Sequence, residues 1–184
     1  MRTLALAAAV ALGGLTTALA APALKVTSPD LKQGGKYSDE QVANVFGCDG
    51  KNISPAISWS GAPKGTKSFA VTIYDPDAPT GSGWWHWVVF NIPPDTTSLP
   101  KNAGDPKANL VPAGTILGHT DFGFAAYGGP CPPKGDKPHH YHLTVYATDL
   151  DKIDADANTS AAVIGFNLHF HTLAKGELLA TYGR

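Results

Sequence analysis

The sequence predicts a mostly β protein with one helix near its C-terminus. Four runs are rich in β-branched or aromatic residues and bounded by Gly, Pro or Asp, whereas a single segment carries a helical period. The 20 glycines and 15 prolines among 184 residues supply turns and leave little room for long helices.

In chain order, Arg2 precedes a run of Leu, Ala and Val that stays uncharged until Lys25. Ala18-Leu19-Ala20 puts small residues at the two positions a signal peptidase reads. Residues 1–20 therefore have the pattern of a secretory signal peptide. A spanning helix wants roughly 20 strongly apolar residues, and this run is short and rich in Ala, Gly and Thr. Cleavage after Ala20 would leave residues 21–184 as one domain in the periplasm or the medium, long enough to bury a core. Without Arg2, 13 basic residues stand against 15 acidic ones. There is no basic stripe, so no nucleic-acid partner is expected. No polybasic or amphipathic segment offers a stable membrane anchor.

Ile53–Trp59, Ser68–Tyr74, Trp85–Ile92 and Tyr141–Thr148 are the four strand-like runs. Between Pro93 and Phe122 the chain is rich in Pro, Gly and Asn and reads as a long ordered loop, of the kind that serves a site. From Thr159 to Lys175 the spacing predicts the helix. Ala162, Phe166, Phe170 and Leu173 share one face, while Ile164 and Leu168 fall on another, so cover on more than one side is expected. Asn158, Thr159 or Ser160 can cap its start, and Lys175-Gly176 can stop it. Glu177–Tyr182 is expected to return as a short terminal strand. Cys48 and Cys131 are an even count in an exported chain, which favours a disulfide; two buried free thiols are the alternative.

The chemistry concentrates in two stretches. In the first, Tyr74-Asp75-Pro76-Asp77-Ala78-Pro79 leads into Trp84-Trp85-His86-Trp87. If the flanking strands pair antiparallel, Asp75 and His86 meet at one rim with Asp77 nearby. The two prolines stiffen the loop. A turn in which Asp75 and Asp77 only bond local amides is the plain alternative. In the second stretch, Gly128-Gly129-Pro130-Cys131-Pro132-Pro133 could hold bare amides toward an anion. His139-His140-Tyr141-His142 then opens a strand. Alternation puts His139 and Tyr141 on the face of Leu143 and Val145, and leaves His140 and His142 toward solvent.

These motifs, Asp75-Pro76-Asp77-Ala78-Pro79, Trp85-His86-Trp87 and the Gly128–Pro133 loop with His139 and Tyr141, resemble the phosphatidylethanolamine-binding protein family. Within it they are similar to the bacterial Raf-kinase-inhibitor-like branch. The resemblance runs on through Phe46–Pro55 and Asp121-Phe122-Gly123 to Leu178 and Tyr182-Gly183-Arg184. It implies a β-sandwich with a C-terminal helix and a small pocket for phosphate-like anions, either phosphate or a phospholipid head group. Carried over by motif, Asp75, Asp77, His86, Gly129, Pro130, Pro132, His139 and Tyr141 would line it. The family commonly has Arg where His140 stands, so contacts made there would differ and follow pH.

The expected function is therefore anion binding without catalysis, with modulation of a partner protein as a further role. Asp75 and Asp77 would serve to orient and charge His86 or His139. A hydrolase acting on a small phosphorylated or acylated molecule is the alternative, since Asp and His can act as acid and base. The sequence lacks a nucleophile elbow. No cofactor is expected, and the spacing of Asp75, His86 and His139 matches no zinc signature.

Overall fold

The computed structural model describes residues 23–184; the expected signal peptide lies outside the described residues. In chain order the elements are β1 (Lys25–Thr27), β2 (Gly35–Lys36), β3 (Ile57–Ser60), β4 (Ser68–Asp75) and β5 (Trp84–Ile92). They continue with β6 (Ser98–Leu99), β7 (Ile116–Leu117), β8 (His139–Thr148), α1 (Ala161–His171) and β9 (Thr172–Tyr182). One sheet has three strands in the order β1-β3-β6, and the other has six in the order β2-β9-β8-β4-β5-β7. Pairing is antiparallel except between β2 and β9. The mostly β class and the C-terminal helix agree with the sequence.

Alternation along β4, β5 and β8 makes both faces of the large sheet apolar, and each is covered. Phe69, Val71, Ile73, Trp87, Val89, Leu143 and Val145 meet Leu24, Ile57, Trp59 and Leu99 of the small-sheet side. On the outer face, Ala70, Val88 and Phe90 meet Ala161, Ile164 and Leu168 of α1. Burial on this scale, at about 25 cal/mol per Å² of apolar surface, is what holds the layers together.

Two β-bulges break the alternation of β5. Phe69 pairs with Ile92 but Val71 with Val89, so β5 has one extra residue there. Asn91, at φ 58, supplies the irregular backbone, and Ile92 consequently faces the inner core with Val89. The second bulge lies between Ile73↔Trp87 and Tyr74↔Trp85, which leaves His86 unpaired with β4. Without it His86 would share the α1 side with Val88. With it His86 and Trp87 both turn inward, and Trp85 packs against the helix-side cluster. Bulges of this kind re-aim side chains next to sites.

Three expectations need correction. The Pro93–Phe122 connection is not a loop throughout, because β6 and β7 each add two residues to a sheet edge. The helix ends at His171 and passes directly into β9, which is longer than the short strand expected from Glu177. Ser160 is the cap, its hydroxyl accepting from the Val163 amide. The core face of the helix is also the other one: Ala161, Ile164 and Leu168 are buried, whereas Phe166 and Phe170 are 65% and 64% exposed. Two apolar stripes compete on this helix. The stripe of small and branched side chains fits the shallow surface formed by Ala70, Val88 and Phe90, and the two phenylalanines pack edge to face on each other outside.

Candidate functional site

At one end of the sandwich, three neighbouring strands turn polar residues into the interior. Asp75 ends β4, His86 sits at the bulge of β5, and His139 and Tyr141 begin β8. All four are buried. They form the floor of an open cavity of about 320 Å³ whose walls include Phe46, Trp84, Phe122, Pro132 and Arg184.

The hydrogen bonds of the floor have a definite polarity. His139 Nδ1 donates to Asp75 Oδ2 at 2.7 Å. Asp75 Oδ1 accepts the Asp77 amide at 2.8 Å, a short-range turn contact that makes Asp75 rigid. His86 Nδ1 lies 2.8 Å from the Gly128 carbonyl and must donate, because a carbonyl can only accept. Its Nε2 is turned toward Asp75 Oδ2 but stops at 4.0 Å. Burial pushes the His86 imidazole down from 6.5 to about 4, outweighing the Gly128 bond and the Asp75 charge. His86 is therefore neutral at neutral pH, and the expectation that Asp75 charges it is corrected: desolvation wins.

The Tyr141 hydroxyl is buried without a hydrogen-bond partner. Burial, together with the charge and hydrogen-bonding reach of the neighbouring Asp75 carboxylate, raises its pKa far beyond the ordinary phenol range. It stays protonated, with the Asp75 carboxylate within its donating reach.

Of the remaining sequence-predicted residues, Pro132 alone borders the cavity. Asp77 accepts from both the amide and Nδ1 of His140, at 2.8 and 2.7 Å, which holds its carboxyl below the usual range. Both residues are exposed and neither borders the cavity. His142 points to the opposite side, 3.1 Å from Glu177. Pro132 is in the cavity wall, whereas Gly129 and Pro130 are buried behind it. The loop does not offer bare glycine amides. The Gly128 amide donates to the His86 carbonyl, and the Gly129 amide donates to Asn52 Oδ1 at 2.7 Å. Gly129 is needed for closeness, since a Cβ there would collide with the Gln41 carbonyl.

Cys48 and Cys131 form a disulfide. It joins this loop to the Val45–Asn52 segment, reinforced by the Ala43 amide on the Pro130 carbonyl. Arg184 closes the same junction. Its guanidinium donates to the carbonyls of Pro132, Gly47 and Phe46 at 2.7, 2.8 and 3.2 Å. Phe122 stacks on Phe46 and meets the edges of Trp84 and His86. Reading the residues alone did not single out Arg184, Phe46, Trp84 or Phe122. Arg184, Phe46 and Phe122 do fall inside the motifs that carry the family resemblance. Among the described residues no group of His, Cys, Asp or Glu side chains is placed to hold a metal ion. Nor is any of their helices long and apolar enough to cross a membrane.

Comparison with known proteins agrees with this architecture. A crystal structure of Escherichia coli YbcL, described as a new member of the mammalian PEBP family, superposes with a TM-score of 0.86 at 50% identity. The match covers 88% of this chain and 98% of that one. By sequence, the UPF0098 protein YbcL of Escherichia coli K12 is 48% identical over 99% of this chain and 98% of its own length. The UPF0098 protein YbhB of the same strain is 50% identical over 86% of this chain and 99% of its own. The family model for phosphatidylethanolamine-binding protein matches residues 27–183, a span that takes in the whole six-stranded sheet, the helix and every residue of the cavity floor, and the chain belongs to that family.

Proposed function

We propose that the cavity binds a small phosphate-type anion, either free or as part of a phosphorylated head group, and that the protein works by binding. The Tyr141 hydroxyl carries this reading. It is a buried, protonated donor in the floor of an open cavity that makes no full hydrogen bond of its own, and buried polar groups are normally paired. An anion's oxygen supplies the missing acceptor. The Arg184 guanidinium adds positive charge to the wall and is held in place by its three carbonyls. The apolar rings of Phe46, Trp84 and Phe122 would exclude water from the bound group.

The groups available for chemistry favour binding over hydrolysis. The sulfurs that touch the wall are locked in the disulfide. The Thr80 hydroxyl is donated to the Gly83 carbonyl, and the Tyr141 phenol is held protonated. A nucleophilic mechanism needs an activated group beside a base. The disulfide also suits an oxidising compartment, in keeping with export after cleavage at Ala20. There, occupancy of the cavity would modulate a partner protein.

Titration calorimetry with inorganic phosphate tests the reading. Binding should be weakened about tenfold or more by Tyr141→Phe, the loss expected of one buried hydrogen bond to a charged group, and by Arg184→Ala. Phosphate binding that is absent, or unchanged in both variants, would overturn it. So would a phosphatase or esterase rate abolished by His86→Ala.

A further inference from the structure

We propose that the outer face of α1 is a self-association surface. Two copies of this chain pair through it about a two-fold axis, an apolar ridge on each entering a groove beside the helix of the other.

The helix Ala161–His171 contains no Asp, Glu, Lys or Arg. One face is buried on the sheet, yet the opposite face is apolar as well: Val163, Phe166 and Phe170 share one side of the helix and stand exposed as a ridge. A solvated helix face normally carries charge, and a helix that is apolar all round is normally covered. Beside the ridge runs a groove of about 470 Å³, lined by Trp85 and Tyr146 of the sheet and by Ala162, Gly165 and His169 of the helix. Nothing within one copy requires glycine at position 165. A Cβ there would stand 3.7 Å from the Trp85 ring, an ordinary contact, and glycine is a poor choice for a helix interior. Its missing side chain keeps the groove open over Trp85, which serves a group arriving from outside.

Ridge and groove lie side by side on one helix, so a two-fold pairing satisfies both at once, each copy supplying knob and hole. The charges fit a neutral occupant. Lys175 is the one Lys, Arg, Asp or Glu that lines the groove, and the ridge brings no charge to it. A helix that lies on a membrane carries Lys or Arg beside its apolar face, and α1 has neither. Exposed by about two-thirds, two rings that can each bury about 200 Å² offer roughly 250 Å². Matched by an equal area of groove and counted for both copies, the pairing removes about 1,000 Å² from water, the lower limit of a specific interface. The dimer should therefore be reversible, with a Kd on the order of 10 µM. This surface lies across the large sheet from the cavity floor and does not depend on what the cavity binds.

Sedimentation equilibrium of the purified protein decides the matter, over a loading range of about 1 to 200 µM that brackets this Kd. The mass should rise from monomer to dimer and go no further, because a two-fold contact closes on itself. Phe166→Ala/Phe170→Ala should weaken the dimer about tenfold or more. Gly165→Gln, which fills the groove with a better helix former, should do the same, and both variants should stay folded as monomers when dilute. Mixed together, the two variants keep one ridge and one groove intact and should pair more tightly than either does alone. A dimer that neither variant weakens would overturn the proposal, and so would a mixture no tighter than its parts. A protein monomeric throughout would overturn it too. Cosedimentation of that monomer with phosphatidylglycerol vesicles, lost in Phe166→Ala/Phe170→Ala, would reassign the ridge to a lipid surface.

Discussion

Asp75 and His139 are joined across neighbouring strands by a 2.7 Å hydrogen bond inside the sandwich. The bond exists because β4 and β8 pair antiparallel with Tyr74 opposite His142, a register that sets Asp75 diagonally across from His139 on the same face of the sheet. Asp75 also holds the Asp77 amide. One carboxylate therefore fixes an imidazole and the turn that follows it.

Replacing Asp75 with Ala strands both of those donors in a buried place. The variant should lose about 1–3 kcal/mol of unfolding free energy, read from urea denaturation. Asp75→Asn keeps an acceptor and should lose less. Equal losses would mean that the carboxylate's bonds are not what stabilises this corner.

The depressed His86 pKa has a consequence for stability. In the folded state the ring titrates at about 4, against 6.5 for an ordinary histidine. Between these values the unfolded chain binds the proton that the folded one refuses, so stability rises with pH across this window. The contribution is fully present above pH 6.5, falls as pH drops, and is gone below about 4. A shift of this size corresponds to about 3 kcal/mol. Urea unfolding at pH 4 to 7 should show that slope in the wild type and a flatter one in His86→Gln. Parallel slopes would mean that His86 is not buried neutral.

The cavity residues were partly legible from the sequence because strand alternation and short-range pairing are local rules. His139 and Tyr141 point inward as alternation demands, and Asp75 meets His86 as a tight β4–β5 connection demands. What alternation could not show is the bulge at His86, which depends on how β5 registers against β4. Arg184 was beyond local reasoning as well. It lies 137 residues along the chain from Gly47, whose carbonyl it binds. The two- and three-residue strands β1, β2, β6 and β7 are too short to impose a pattern.

The disulfide closes a sequence separation of 83 residues. In the chain-entropy account such a link stabilises by about 4–5 kcal/mol, often less in practice. The Cys48→Ala/Cys131→Ala protein should melt lower than the oxidised wild type and bind phosphate more weakly, because Pro132 and Phe46 would lose their common tether. Hydrogen exchange should rise at Val45–Asn52 and at the Gly129–Pro133 loop together. A rise at only one of them would show that Arg184 holds the other unaided.

The helix offers a contrast between its two apolar stripes. Leu168→Ala removes a buried side chain from the α1 interface and should cost about 2–5 kcal/mol. Phe166→Ala, on the exposed stripe, should stay within about 0.5 kcal/mol of wild type. The reverse order would place the wrong face against the sheet.

The position of β9 sets when the large sheet can exist. It lies between β2 and β8, and it brings the Leu179 amide to Gln33 and the Thr181 hydroxyl to the Gly35 carbonyl, each across 146 residues. Until β9 docks, β8 is a ten-residue edge with a full row of unmet backbone groups, a template for pairing with another chain. Contacts this distant in sequence slow folding toward the millisecond-to-second range. Refolding should therefore be rate-limited by the arrival of one strand, and its yield should fall as protein concentration rises, through edge-to-edge capture of chains that lack it.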